Sequence, residues 1–503
     1  MARSLFWFLV VAAAWLASTY VFWMGYAGTD DIFYARYANS LHRLPLNHWE
    51  YRLPAVYLMR LSIFLFGPTE FAAALPTLLS SLAMLASVAW LIDWPRRPTW
   101  QANCGMLLFC FMPLDISFRS YPNASYIAAG MLAVGSVAML KGSRLVQYLG
   151  AGLMAVAFLT HEVSFFYVAI FCLTALAFDR RRYWYPVIAC VAFSGGLFAI
   201  EAAIYYSITG EAFARYTRAS AAIGVLEAGR DVRVGASPLS FFLWPLKNVL
   251  FCKQLAFSLL LLFGSGLLVF GKLRKEQKIL LAVMILFWAY LGYGSLVPWT
   301  YKPLGRAWHY YYLLVVGIAA LLPYTLTLAL GERERLSRAI LLFTLVALVG
   351  CAAAGGRWGQ NVDVSRELLA YAQAHPEKTF LTDVNTMNQM YVWGGFQLPE
   401  NVICLNGEPV EKHLLINKEP EDTPRYEFPR QEYDAVLLNL EGFVERKPFA
   451  NFQEVRQSLT GEREVIVPPR YRLVFLPWLL VAEPRDFMIR SRGGAVVHLD
   501  PTD

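Results

Sequence analysis

The chain has 503 residues, of which 57% are hydrophobic and only 16% charged. A soluble globular chain carries about 25% charged residues, so this composition excludes an ordinary soluble enzyme and points to a bilayer. The formal net charge of +7 is read by location, because membrane topology sorts Lys and Arg, and it is not taken as a nucleic-acid signal.

The opening stretch, Met1 to Tyr26, holds Arg3, small residues and an apolar run of roughly twenty residues, long enough to span a bilayer. A signal peptide would have a shorter apolar core, so the reading is an uncleaved first helix. Ten further spans are expected, at about 69–93, 101–114, 122–140, 145–160, 162–178, 184–207, 241–270, 279–297, 308–330 and 338–355. The pair 145–178 could also be one long helix broken at "THE". Charge decides between the two. The short loops "DWPRRPTW", "KGSR", "DRRRYW", "GKLRKEQK" and "GERERLSR" each carry at least two Lys or Arg, and they share one side if 145–178 crosses twice. That side is cytoplasmic by the positive-inside pattern, and so is the N-terminus.

Segments 25–68, 115–121, 160–162, 208–240, 298–307 and everything after about 355 then face outward. The outer side is rich in ionisable groups, among them Asp30, Asp31, Arg52, Asp115, Arg119, His161 and Glu162, so function is expected there. The 208–240 loop is near neutral, with four Arg against three acids, and reads as a solvated loop or, more sharply, a lid. After residue 355 the composition changes. A helix is expected at 363–375 and strands in "KTFLTDV", "YDAVLLNL", "REVIVPP" and "YRLVFLPWLLVAE". The expected organisation is a polytopic α-helical membrane domain, 1–355, followed by an outward α/β domain, 356–503. The seven cysteines form no close Cys/His cluster, so neither a disulfide framework nor a structural metal is read.

Four outward features carry chemistry. In "GTDDIFYARYA", Asp30 and Asp31 lie at a helix end, where a carboxylate near hydrocarbon is costly. Adjacent carboxylates raise one another's pKa, which suits a general base with a partner for the acceptor; a polar helix end at the interface is the plainer reading. Tyr34 lies beside them at interface depth, and His48 lies further along the same loop. In "HWEYRLPAVYLMRLSIFLFGPTEFAAALP", Pro54 opens a short surface helix, Gly67-Pro68 stops it, and Thr69 caps the next helix with Glu70 in its first turn. Arg52 at the head of that surface helix suits a lipid phosphate, or plain interfacial anchoring. In "PWTYKPLGRAWHYYYLL", Lys302, Arg306 and His309 lie among aromatics including Tyr310. Two cations on the outer side suit an anionic ligand, or snorkelling in an aromatic belt. Last, His161-Glu162 breaks two apolar runs and could orient a sugar or bind a divalent ion, though two residues are not a metal site.

Together these motifs resemble the GT-C glycosyltransferases that use polyprenyl-phosphate sugars, such as the lipid A aminoarabinose transferases and the protein O-mannosyltransferases. "TDDIFYARYA" stands for the family's acidic pair, "YRLPAVYLMRLSIFLFGPTEFAAALP" for its surface helix and following span, and "GRAWHYYYLL" for a late Arg-Tyr-Tyr segment. The match covers about residues 1–330, with Asp31 for the commoner Glu, Arg-Leu-Pro for Lys-Pro-Pro and Ala74 for Arg. The resemblance implies an inverting transfer from a polyprenyl-phosphate sugar to a glycan, lipid or protein acceptor at the periplasmic face of a bacterial inner membrane. It implies Asp30 as base and Asp31 as its partner. Arg52, Lys302 and Arg306 would meet the donor phosphate, and Tyr34, His48, His161, Glu162, His309 and Tyr310 the substrates. No cofactor is assigned, and the acidic groups leave a divalent cation open. A transporter or flippase, or an O-antigen polymerase or ligase type of enzyme, is the rival reading. A transporter would place polar residues at the midplane on repeated broken helices, and no repeat is visible.

Overall fold

The computed structural model describes residues 2–26, 30–40, 50–217, 255, 257–297, 300–303, 310–355, 361–404, 433–439, 462–467, 470–473, 488–491 and 494–498. The chain is an integral membrane protein. Among the described residues seven helices are long and apolar enough to cross a bilayer, or eight with one bent pair counted as a single span.

The first is α1 (Ala2–Val21), followed by the short α2 (Asp30–Asn39) and α3 (Leu53–Phe66). Pro54 lies in the first turn of α3, and Gly67, at φ +79°, ends it. Thr69 caps α4 (Glu70–Leu91), its hydroxyl accepting the Ala72 N–H at 3.2 Å, as its position before a helical run predicts. α5 (Trp100–Cys110) and α6 (Pro113–Arg119) form one span bent by 48°. α7 (Ala124–Lys141) and α8 (Arg144–Thr160) pack closely because Gly135 and Gly150 face each other. A Cβ on either glycine would lie 2.8 Å from the other's carbonyl oxygen, so only glycine permits this approach. The break at His161-Glu162 is real, and the two spans expected after it follow as two helices that meet at Asp179, whose backbone is not helical; together they are α9 (Val163–Thr209). α10 (Ser258–Leu268), α11 (Lys275–Tyr293), α12 (Tyr312–Leu330) and α13 (Glu334–Gly355) complete the membrane part. α12 is buried over most of its length and forms the centre of the bundle. Of the expected span 241–270, only the part from 255 lies within the described residues.

The loops expected to share a side do meet at one end. Lys141 pairs with Asp93 at 2.6 Å, Lys275 with Asp179 at 2.8 Å, and Arg182 with Glu276 at 3.0 Å. At the opposite end a hairpin of β1 (Ser295–Val297) and β2 (Thr300–Pro303) leads into α12.

The C-terminal part begins with α14 (Asn361–Ala374) and β3 (Phe380–Thr382). Next come α15 (Val384–Trp393), β4 (Val402–Cys404), β5 (Ala435–Asn439) and β6 (Glu462–Val467), then β7 (Arg470–Leu473), β8 (Met488–Ser491) and β9 (Gly494–His498). Five strands form one sheet in the order β4-β3-β5-β9-β6. β3 is parallel to β4 and β5, while β9 runs antiparallel to β5 and β6. β7 and β8 pair separately. Val364, Leu368, Phe380, Met390, Leu437 and Val496 make the core between sheet and helices.

Candidate active site

The end of the bundle opposite the Lys/Arg-rich loops gathers the ionisable groups, and each is placed by a local device. The chain leaves α1 through Gly25, at φ +60°. A Cβ there would fall 1.4 Å from Glu70 Oε1, so the position demands glycine twice over. The same Glu70 oxygen accepts the Tyr26 N–H at 2.9 Å, which explains an acid in the first turn of α4: it pins the start of the first loop. Burial, then Asp31, then Glu70 hold the Tyr26 phenol well above its ordinary pKa, so Asp31 lies in a shielded environment beside it. Asp31 itself is fully buried.

Successive helical residues turn by about 100°, so Asp30, Asp31 and Tyr34 share one face of α2. The Tyr34 hydroxyl accepts a short hydrogen bond from Arg52 Nη1, and the Arg52 guanidinium lies 6.0 Å from the Tyr34 ring centre. Tyr205 of α9 donates to the Tyr51 carbonyl and so fixes the backbone next to Arg52. Arg52 then meets Glu162, with Nη2 to Oε2 at 3.0 Å and Nε to Oε1 at 3.4 Å.

Glu162 serves two arginines. Arg215 Nε donates to its Oε1 at 3.0 Å, while Arg215 Nη1 donates to Glu201 Oε1 at 2.7 Å and to the Leu159 carbonyl at 2.5 Å. Arg52, Glu162, Arg215 and Glu201 therefore make a near-neutral chain of alternating charge. Burial disfavours the charge on Arg52, but Glu162 and Tyr34 outweigh it and raise its pKa. Burial likewise pulls Glu162 upward, and Arg52 and Arg215 outweigh it, holding its carboxyl well below the usual range. His161 Nδ1 accepts the Val163 N–H at 3.3 Å, and its ring centre lies 5.6 Å from that of Tyr310. Both rings line a small cavity of about 20 Å³ with Ser125, Ser164, Phe287 and Tyr312.

The structure thus brings Tyr34, Arg52, His161, Glu162 and Tyr310 together and sets Asp31 on the adjoining helix. Asp30 is placed by its backbone in the first turn of α2, and Lys302 by its backbone in β2. His48, Arg306 and His309 lie outside the described residues. The sequence reading missed Arg215 and Glu201 as members. The 208–240 loop read as solvated, yet Arg215 is fully buried. The one signal was Glu201 inside an apolar run, an acid that needs a partner.

Asp115 and Arg119, expected among the outward groups, do a different job. Arg119 Nη2 pairs with Asp115 Oδ2 at 2.5 Å, both side chains fully buried. Asp115 accepts from Ser81 and Tyr126, and Arg119 reaches the Trp15 carbonyl, Ser18, Thr19 and the Cys110 carbonyl. This network ties α1, α4, α5, α6 and α7 together. Among the described residues, no group of three or more His, Cys, Asp and Glu could hold a metal ion.

No protein-family model matches the sequence. A search of curated proteins finds no match either. Solved structures do match. ArnT from Cupriavidus metallidurans in the apo state superposes with a TM-score of 0.52 at 12% identity, covering 99% of this chain and 97% of that one. The same protein bound to undecaprenyl phosphate gives 0.52 at 12% identity, covering 100% and 98%. The fold is that of the GT-C glycosyltransferases. Coverage of nearly the whole of both chains extends this likeness beyond the 1–330 stretch whose sequence motifs resemble the family. In this chain Asp31, on α2, and Arg52, at the head of α3, lie at the same end of the bundle.

Proposed function

We propose that this protein is an inverting glycosyltransferase that takes a hexose or pentose from a polyprenyl-phosphate donor and passes it to a hydroxyl of a glycan, lipid or protein. We place the reaction at the periplasmic face of a bacterial inner membrane, with the N-terminus cytoplasmic and residues 356–503 periplasmic. One observation carries the reading. In a GT-C fold, Arg52 is bonded to Tyr34, which shares a helix face with Asp30 and Asp31, so a guanidinium of the kind that suits a phosphate adjoins an acidic pair at one end of the bundle.

The chemistry follows from that arrangement. Asp30 takes the proton of the acceptor hydroxyl, and Asp31 positions the acceptor or tunes Asp30. The hydroxyl oxygen attacks the anomeric carbon from the face opposite the phosphate. The bond from that carbon to the phosphate oxygen breaks, and its electron pair leaves with the polyprenyl phosphate. The leaving phosphate changes from a diester to a monoester and gains negative charge, which Arg52, Lys302 and Arg306 offset. Glu162 neutralises Arg52 before the donor arrives. When Arg52 turns to a phosphate, Arg215 keeps Glu162 paired, so no buried acid is left alone. His161 and Tyr310 would meet the sugar and acceptor, the role that the resemblance also implies for His48 and His309.

The test is turnover of a panel of radiolabelled polyprenyl-phosphate sugars in lipid, comparing wild type with Asp30→Asn and reading released polyprenyl phosphate. Turnover of one donor, lost by about 10²–10⁴-fold in Asp30→Asn with donor binding retained, fits a general base. Equal turnover in both removes Asp30 from the mechanism. Absence of binding to every donor favours a transporter.

A further inference from the structure

α2 carries the acidic pair on only ten residues, too few to be stable as a helix alone. Its orientation is set by what it packs on. One face meets Arg52 through Tyr34. Arg36 lies roughly 160° around the helix from Tyr34, at about 100° per residue, and it points to the C-terminal domain. Arg36 Nη1 donates to Asn388 Oδ1 of α15 at 2.7 Å, and its guanidinium lies 5.2 Å from the Tyr391 ring centre. Arg36 is 4% exposed and Asn388 7%. Around this contact Val392 and Phe396 join the cluster formed by Tyr26, Tyr34, Tyr37 and α3, and Trp393 meets Tyr26 edge-on at 5.7 Å.

The far side of α15 is held just as firmly. Asp383 caps it, accepting the Thr386 N–H at 3.1 Å. Ser365 of α14 donates to Gln389 at 2.5 Å and accepts from Asn439 of β5 at 2.9 Å. Asn439, Ser365 and Gln389 therefore tie α15 to the sheet, and Asn388 on the same helix accepts from Arg36. Buried polar side chains of this kind fix one arrangement at a cost in stability, which suits a part that must hold a register.

We propose that the C-terminal domain is a clamp that sets the position of the acidic pair against Arg52, with Arg36 and Asn388 as positioning residues. This rests on the reading of Asp30 and Asp31 as the catalytic acids. A domain merely attached to the bundle needs apolar contact alone. This one reaches the opposite face of the helix that bears the acids, through a charge-assisted hydrogen bond to a residue on a helix tied to its own sheet.

The experiment uses the full chain in lipid nanodiscs and three variants: Asn388→Ala, the conservative Asn388→Asp, which keeps an acceptor for Arg36, and Arg36→Lys. Three quantities are read in each: deuterium exchange over residues 30–39, undecaprenyl phosphate affinity, and donor turnover. Asn388→Ala is expected to speed exchange in α2 by about tenfold, as for loss of one hydrogen bond to a charged group. Turnover falls by about ten- to a hundredfold with undecaprenyl phosphate affinity unchanged, because misplacement of a reacting group costs rate and not phosphate binding. Asn388→Asp restores both, and Arg36→Lys falls between. Unchanged exchange in Asn388→Ala overturns the clamp. Faster exchange with turnover intact, or with turnover and affinity falling together, overturns the positioning role. If wild type turns over no donor at all, the glycosyl-transfer reading fails by itself, and the exchange measurement still decides whether the clamp exists.

Discussion

Glu162→Gln separates the two roles assigned to the charge chain. In wild type, Glu162 holds Arg52 at 3.0 Å and Arg215 at 3.0 Å, and Glu201 holds Arg215 at 2.7 Å. The substitution leaves two arginines facing one carboxylate. Breaking a fully buried pair costs about 3–5 kcal/mol. The Glu162 side chain is 19% exposed, and Gln keeps an acceptor oxygen, so a loss of about 2 kcal/mol is expected. Binding should move the other way. Arg52 loses its competitor, and undecaprenyl phosphate is expected to bind about tenfold tighter, or roughly 1.4 kcal/mol. Thermal unfolding in nanodiscs, with and without saturating undecaprenyl phosphate, reads both at once. The variant melts lower than wild type without the lipid, and the gap narrows with it, because a ligand of the folded state stabilises by mass action. Weaker binding in the variant would refute the competition and make Glu162 an orienting partner of Arg52. The pH dependence follows from the same carboxyl. Its folded pKa lies below the ordinary 4.5, so its contribution is present in full above that value and is lost as pH falls through the folded pKa. Stability from this group is therefore flat from about pH 5 to 8, and the acid-side loss is absent in Glu162→Gln.

Three further outcomes are expected. Arg119→Met leaves Asp115 buried and unpaired and lowers stability by about 3–5 kcal/mol, while adding Asp115→Asn recovers much of the loss; thermal unfolding of the single and double variants checks this. Were Arg119→Met to melt like wild type, the network would not be what joins α1 to the bundle. Gly25→Ala meets both a positive φ and Glu70, so it should speed deuterium exchange at 30–39 and lower the melting temperature, and Glu70→Ala added to it should relieve only the steric part. Arg215→Lys keeps a charge but loses the fork that spans Glu162, Glu201 and the Leu159 carbonyl, so a loss of about 1–3 kcal/mol is expected; an unchanged melting curve would remove Arg215 from the chain of charges.

What the sequence made legible was what short-range chemistry determines. Pro54, Gly67 and Thr69 start, stop and cap helices through their own backbone preferences, and the structure has those boundaries. Charge counted loop by loop grouped 93, 141, 179 and 275–276, which then meet in ion pairs at one end. The acidic pair, Arg52 and the His161-Glu162 break could be picked out because each is costly where it stands. Partnerships over distance were hidden. Glu162 finds Arg215 53 residues on, inside a loop whose composition was near neutral and gave no reason to single out one arginine. Asp115 and Arg119 had the helical spacing of a pair, but only the carbonyls and hydroxyls of α1 reveal that the pair is structural. In the C-terminal domain, α15 escaped notice because "VNTMNQMYVW" mixes β-branched and amide residues of modest helix preference. Its helix is maintained by packing on α2 and the sheet. β9 is short, and its place between β5 and β6 is a matter of topology, which period alone does not encode.

The bonds from Arg119 to α1 also bear on how the protein is made. α1 is largely lipid-facing, with 17% of its apolar window buried, and its inner anchors at Trp15, Ser18 and Thr19 await a guanidinium 100 to 104 residues later in the chain. At about 5–20 residues per second, the ribosome delivers that group roughly 5 to 20 s after α1 has emerged. It follows that α1, which meets α4 earlier through Trp15 and Ser81, completes its docking on α5 and α6 only with Arg119. The translocation machinery must accept a charged residue whose acceptors already wait in the membrane. Nascent chains stalled at successive lengths should cross-link α1 to α5 and α6 only once residue 119 has been inserted. Cross-links at shorter lengths would show that apolar packing alone docks the first helix.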